Sequence, residues 1–189
     1  MKCRKVVIMA ILILIYAVLF TYYAQAQFQQ VVTSIKGQDT AVETLRHYLQ
    51  LRLRNADWKD YSKYVTWSDE PSWDCNWVVR NYDIGMPKKG KHNVVVPVVY
   101  KRLGLFCYDF DFSPDLKIVT IKYELVKHRS GWKVNAPVPD YPDISADVLI
   151  KSLRASAESS SESQDRRAQF SASACKLSDV LDRAGNSKQ

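Results

Sequence analysis

The hydrophobic pattern of this chain changes period once, and that change sets the class of fold. From Val42 through Leu45, Leu49 and Leu53 to Ala56, apolar residues recur at steps of three and four, while Arg46, Gln50, Arg52 and Arg54 lie largely off that stripe. This predicts a helix with one buried face. After Pro71 the period becomes two. Phe106, Tyr108, Phe110 and Phe112 alternate with Cys107, Asp109 and Asp111, and Val119, Ile121, Tyr123 and Leu125 share one face of the run Lys117 to Lys127. A period of two belongs to strands with one covered face. Helices followed by a succession of antiparallel strands is an α+β order, in which a curved sheet wraps around the long first helix.

Local signals place the boundaries. Thr40-Ala41-Val42-Glu43 reads as a capping box, with Thr40 as N-cap. Asn55 or Asp57 ends the helix and starts a shorter one, whose buried side is Trp58, Tyr61 and Tyr64 or Val65. A strand follows from Asn76 to Ile84, with Trp77 and Val79 opposite Val78, Tyr82 and Ile84. Gly85 to Lys91 is a turn. Val94 to Lys101 contains Pro97, which cannot donate to a ladder, so this strand is at an edge or bulged there. Ser113-Pro114-Asp115 is expected to be a hairpin turn, and Ser130-Gly131 turns the chain into Trp132 to Asn135. After the proline-punctuated stretch Pro137 to Pro142, Ser145 caps a short helix with Val148, Leu149, Ile150 and Leu153 as apolar positions. Ala155 to Ala174 carries seven Ser and a single large apolar residue, Phe170, the composition of a disordered tail. Leu177, Val180 and Leu181 could add one or two amphipathic turns. The expected organisation is a leader at 1–26, a polar lead-in at 27–37, a folded domain at 38–154 and a Ser-rich flexible tail at 155–189. A body of that size can fold alone.

The beginning of the chain sets the compartment. Lys2, Arg4 and Lys5 precede an uncharged run from Val6 to Phe20, and Ala24-Gln25-Ala26 follows. That is the three-part order of a secretory signal peptide, cleaved after Ala26. The rival is an uncleaved anchor, since the apolar run extended through Ala24 is just long enough to span a bilayer. Both place the remainder outside the cytoplasm. Removing the three leader cations leaves 24 basic against 20 acidic residues, a net charge of +4. So small a charge, spread along the chain, speaks to solubility and calls for no nucleic acid. Export leaves Cys75, Cys107 and Cys175, of which Cys75 and Cys107 lie in the predicted body and are the disulfide candidates. The alternative is a pair of buried free thiols. No Asn begins a glycosylation sequon, which favours a bacterial periplasm.

The capped helix running into Asp57-Trp58-Lys59-Asp60-Tyr61, the strand pair Val94 to Tyr100 and Lys117 to Lys127, and the ending Tyr123-x-Leu125 … Gly131-Trp132-Lys133-Val134 resemble the NTF2-like, or cystatin-like, superfamily. Pro142-x-Ile144-Ser145 is similar to the terminal helix entry of small exported bacterial members of unknown function. The resemblance covers Thr40 to Arg154 and implies a cone of curved antiparallel sheet around the helices. It does not imply one activity, because such folds host enzymes, binding modules and secretion-system subunits.

No catalytic motif is present. His47, His92 and His128 are isolated from one another, and Cys75 and Cys107 lack the spacing of a zinc site. Asp109-x-Asp111-x-Ser113-x-Asp115 fails as a calcium loop at Pro114 and Thr120. Neither metal nor cofactor is expected. The residues able to reach a cone cavity are Tyr82, Asp83, Tyr100 and Tyr123, with β-sheet packing as the plain alternative for the tyrosines. Trp58, Trp67, Trp73 and Trp77 are clustered; Trp58 and Trp77 are expected to pack, and the loop residues Trp67 and Trp73 to form an exposed interface. The leading functional expectation is a non-enzymatic exported module that binds another envelope protein. The alternatives are a small-ligand carrier or enzyme using the cone, and a membrane-anchored, periplasm-facing subunit of a secretion or envelope assembly. A homodimer is compatible with each.

Overall fold

The structure is a computed structural model and describes residues 40–69, 74–138 and 140–186. The expected leader, the lead-in and Trp73 lie outside the described residues. Helix α1 covers 40–53, so Thr40 is already helical. Asn55, at φ 56°, ends it in the left-handed conformation that Asn tolerates. A short helix α2 (Trp58–Tyr61) and a 3₁₀ turn (Ser62–Tyr64) follow, with Tyr61 and Val65 buried. Next come strands β1 (Cys75–Ile84), β2 (Lys88–Lys89), β3 (Asn93–Cys107), β4 (Phe112–His128), β5 (Gly131–Ala136) and β6 (Asp143–Ser145), then helices α3 (Ala146–Glu158) and α4 (Gln164–Asn186).

The fold is α+β, with a strongly curled, half-barrel sheet in the order β5-β4-β3-β1-β6. The expected antiparallel sheet is corrected in one respect. β6 runs parallel to β1, through Trp77↔Asp143 and Val79↔Ser145, so the sheet is mixed.

Curling comes from two bulges. Leu103 interrupts the pairing of β3 with both neighbours, and Arg80 is the extra residue on β1. Each extra residue switches the side to which following side chains point. Adjacent Val78 and Val79 point to opposite faces, as neighbours on a strand do, and both are buried because each face carries its own core. Val79 joins Leu45, Leu49, Val96, Val98 and Tyr123 beneath α1 on the inner face. Val78 joins Leu103 and Phe112 on the outer face, under α3 and α4. Close approach at this second site requires glycine: a Cβ on Gly104 would stand 2.2 Å from the Ser113 carbonyl and 2.7 Å from the Phe112 ring. Pro97 is tolerated inside β3 because it falls between the last β1 pair, at Val98, and the first β2 pair, at Val95. Pro97 stays in register with Lys122 of β4, but its carbonyl accepts from the Gly85 N–H on the other side, where no strand pair needs the missing N–H.

Two expectations are overturned. The hairpin turn is not at Ser113-Pro114-Asp115, which lie within β4. It is at Tyr108–Asp111, where Phe110 adopts φ 62° and Tyr108 is left exposed. The Phe110 ring packs edge-on against Phe170 at 4.7 Å, which secures the unusual backbone. The second correction is the tail. Gln164–Asn186 is helical and buries Phe170, Ala174, Leu177 and Val180 against the sheet and α3. Steps of four, three and three place these residues on one face, so the helix covers apolar surface despite its many serines. The folded body thus extends well past Arg154.

Candidate functional site

The inner face holds the residues expected to line a cavity, and it is filled. Tyr100 on β3 pairs with Val119 and Tyr123 on β4 pairs with Val96, so the two tyrosines share the inner face on a diagonal, and their hydroxyls hydrogen-bond at 2.8 Å. Both are fully buried, with Tyr48 of α1 edge-on to Tyr123 at 6.3 Å. Burial drives all three phenols towards the protonated form, Tyr48 to about 12 and the other two further, and the Asp143 carboxylate pushes each in the same direction. The pair is a satisfied buried hydrogen bond with no acid–base capacity near neutral pH. Arg52 of α1 donates to the Tyr61 hydroxyl at 2.6 Å and lies over its ring.

Further along the same face, Arg102 donates to Asp143 at 2.9 Å, with both side chains buried. Its guanidinium lies 4.7 Å from the Trp77 ring centre, and Lys117 sits over the same ring at 4.0 Å. Burial raises the Asp143 carboxyl above its ordinary value, outweighing the pull of Arg102. This ion pair joins the parallel strand β6 to the centre of the sheet. Neither partner was singled out in the sequence, because Arg102 belongs to no motif and Asp143 sits in a proline-rich connector.

The remaining candidates disperse. Asp83 is exposed on the outer side of β1, which corrects its placement in the cavity. The Arg80 bulge lets Tyr82 face inward while Asp83 faces out. Tyr82 is half-buried, 6.2 Å from the Tyr100 ring, and borders an open groove of about 460 Å³ with Gln50, Arg54, Arg80, Asn81 and Asp147. Trp67 is half-buried, edge-on to Tyr48 at 6.4 Å, and so belongs partly to the core rather than to a free surface. Trp58 packs on Tyr61, as expected of it. His47, His92 and His128 are exposed and apart; His47 stacks on Tyr64 and His128 faces Ser130. Among the described residues no three His, Cys, Asp or Glu side chains gather as metal ligands.

The least ordinary surface is one edge of β4. β5 pairs only with Glu124 to His128, so from Ser113 to Tyr123 the outer edge of β4 has no strand beside it among the described residues. Leu116 and Ile118 point outward there and are 60% and 72% exposed. Natural proteins normally cover or shorten such an edge. The signal was present in the sequence, since Trp132 to Asn135 is far shorter than the run Lys117 to Lys127 that it accompanies.

Cys75 and Cys107 are bonded to each other, as expected, and pair directly across β1 and β3. Cys175 is free and exposed. Closing a loop of 32 residues constrains the unfolded chain by about 3 to 4 kcal/mol. Cys107→Ser should therefore lower unfolding free energy by about that amount under oxidising conditions, and by little when both proteins are measured in reductant. An equal deficit in both conditions would assign the loss to packing. The disulfide fits an oxidising, exported environment. No helix among the described residues is long and apolar enough to cross a membrane.

No family model matches the chain, and no curated protein or solved structure matches it significantly.

Proposed function

We propose that this chain is an exported NTF2-like module of the bacterial periplasm that works by binding another protein. The observation that carries the reading is a contrast: the interior is filled by the chain's own tyrosines and aliphatic residues, while Leu116 and Ile118 stand exposed on a strand edge that no other strand covers among the described residues. Buried phenols bonded to each other offer a substrate nothing to react with, whereas an open strand edge offers main-chain hydrogen bonds and apolar side chains to a partner. The Cys75–Cys107 bond and the basic–apolar–Ala-x-Ala beginning support export. The groove beside Tyr82, with Arg54 and Arg80 on its walls, favours a second reading as a small-ligand carrier.

A photo-crosslinking residue placed at position 118 in producing cells tests the first reading. Crosslinked protein bands are expected from Ile118 and not from exposed Glu158 on α3. Mass spectrometry of the adduct should also give Gln27 as the first residue. An intact Met1 terminus in the membrane fraction would favour the anchored subunit. Absence of protein adducts, with a stoichiometric small molecule retained in native mass spectra, would favour the carrier.

A further inference from the structure

We propose that the end of the sheet formed by the segments 85–92 and 127–133 is a docking surface for a membrane rich in anionic phospholipid. The proposal goes beyond the protein-binding reading and uses none of the β4 edge.

The first argument is where the charge lies. Counting along the sequence treats the net charge of +4 as spread, but the fold gathers it. Lys88, Lys89 and Lys91 flank the turn between β2 and β3, and Lys127, Arg129 and Lys133 flank the turn between β4 and β5. Val126 pairs with Asn93 on one side and with Lys133 on the other, so the two hairpin tips end side by side. About two strand spacings separate them, roughly 10 Å, which is comparable with the Debye length, and their fields overlap. No acidic residue occurs from Ile84 to Tyr108 or from Leu125 to Val138. The nearest acids in sequence, Asp83 and Glu124, sit back along β1 and β4. Setting these six cations aside from the 24 basic residues beyond Ala26 leaves 18 against 20 acidic ones. The rest of the exported chain is therefore net negative, and the positive field belongs to this end.

The second argument is that the cations are available. Lys88, Lys91 and Arg129 are exposed, and no carboxylate among the described residues lies within salt-bridge distance of them. Lys127 lies over the Trp132 ring at 5.5 Å and is exposed as well. Several exposed cations elsewhere are already matched: Arg46 with Glu43, Lys59 with Asp57, and Lys176 with Asp111.

The third argument selects the partner. Five of the six cations are lysines. Lysine is a mobile point charge, whereas a site that reads a carboxylate or phosphate in fixed geometry favours the rigid bidentate fork of arginine. Hairpin tips at the end of a sheet meet a flat surface rather than enclose a ligand. Clusters of about four to eight Lys and Arg are drawn to anionic bilayers additively and without fixed contacts. Met86, the most exposed large apolar side chain described at 86%, stands two residues before Lys88 and supplies an apolar group to enter the headgroup layer.

Vesicle flotation with the protein recovered from exporting cells tests the proposal. Vesicles of equimolar phosphatidylglycerol and phosphatidylcholine should bind it at least tenfold more tightly than phosphatidylcholine alone. Raising sodium chloride to about 0.5 M should remove the difference. Lys88→Gln, Lys89→Gln and Lys91→Gln together should weaken binding to the anionic vesicles at least tenfold. Lys151→Gln, Arg154→Gln and Lys176→Gln together remove the same charge from α3 and α4 and should leave binding unchanged. All six positions are exposed, so the fold should persist, which the circular dichroism spectrum checks. Equal binding to neutral and anionic vesicles overturns the proposal. So does an equal loss in the two triple variants, which would make total charge the cause. Binding to polyglutamate but not to vesicles would assign this end to an acidic polypeptide and overturn membrane docking.

Discussion

Ending the chain at Ser159 should cost at least about 4 kcal/mol of folding free energy. The deletion removes Phe170, Leu177 and Val180 from a shared core and uncovers Val78, Leu103 and Phe112 on the sheet. Full burial of each large apolar side chain contributes about 1.5 to 3 kcal/mol, and ordering the helix offsets part of that gain. The polar contacts are also lost: Ser173 donates to the Phe110 carbonyl, Lys176 lies 3.3 Å from Asp111, and Arg80 donates to the Ala184 carbonyl. Domains of this kind have only about 5 to 15 kcal/mol in total, so the truncated protein should be near its unfolding threshold. Leu177→Ala in the full chain isolates the packing part and should cost about 2 to 5 kcal/mol. Cys175→Ser, on the exposed face of the same helix, should stay within about 0.5 kcal/mol. Urea unfolding of the four proteins decides. Equal stability of truncated and full-length chains would mean that α4 is dispensable.

That helix marks where reading by composition stops and reading by face begins. Averaged over the segment, its serines and charges describe a chain unable to bury surface. Sorted by helical position, Phe170, Ala174, Leu177 and Leu181 fall on a single stripe. The stripe is narrow and partly built from Ala, so it has little weight in any average. α1 was legible because its stripe is made of leucines that need no sorting. β1 was half legible: its span was clear, but alternation assumes an unbroken count, and the Arg80 bulge moved Val78 and Asp83 away from the faces that counting assigned. Nothing local in a sequence announces such a bulge, since it is set by how far the sheet must curl. The turn at Tyr108–Asp111 was missed for a related reason. Ser113-Pro114-Asp115 has stronger turn chemistry, yet a tertiary contact between Phe110 and Phe170 selects the other site. Among the cavity candidates, counting by two grouped Tyr123 with Val119, Ile121 and Leu125, but it does not relate that face to Tyr100 on another strand. That the two tyrosines would bond to each other beneath α1 depends on how far α1 descends into the curl, which alternation does not encode.

The Arg102–Asp143 pair should give the largest effect of any single substitution in the body. Asp143→Ala leaves a guanidinium buried with its main acceptor gone, and breaking one side of a buried pair costs about 3 to 5 kcal/mol. The cost is expected to come from the stranded charge rather than from the lost attraction. Adding Arg102→Met to Asp143→Ala should therefore recover most of the loss, because an apolar pair of similar volume avoids desolvating two ions. The pH dependence follows from the carboxyl's raised value in the fold. The folded protein holds this proton more tightly than the unfolded chain does. Its contribution is full below the unfolded value of about 3.9 and is lost as pH rises through the folded value. The stability advantage of the native protein over Asp143→Asn, which cannot titrate, should accordingly be greatest below about pH 4 and shrink at higher pH. Unfolding in urea across that range reads the difference directly. An advantage that grows with pH would mean that Arg102 outweighs burial and that the pair is a net attraction in the fold. Failure of Arg102→Met to restore stability would place the loss in the attachment of β6 to β1, where Asp143 pairs with Trp77, and not in the charge.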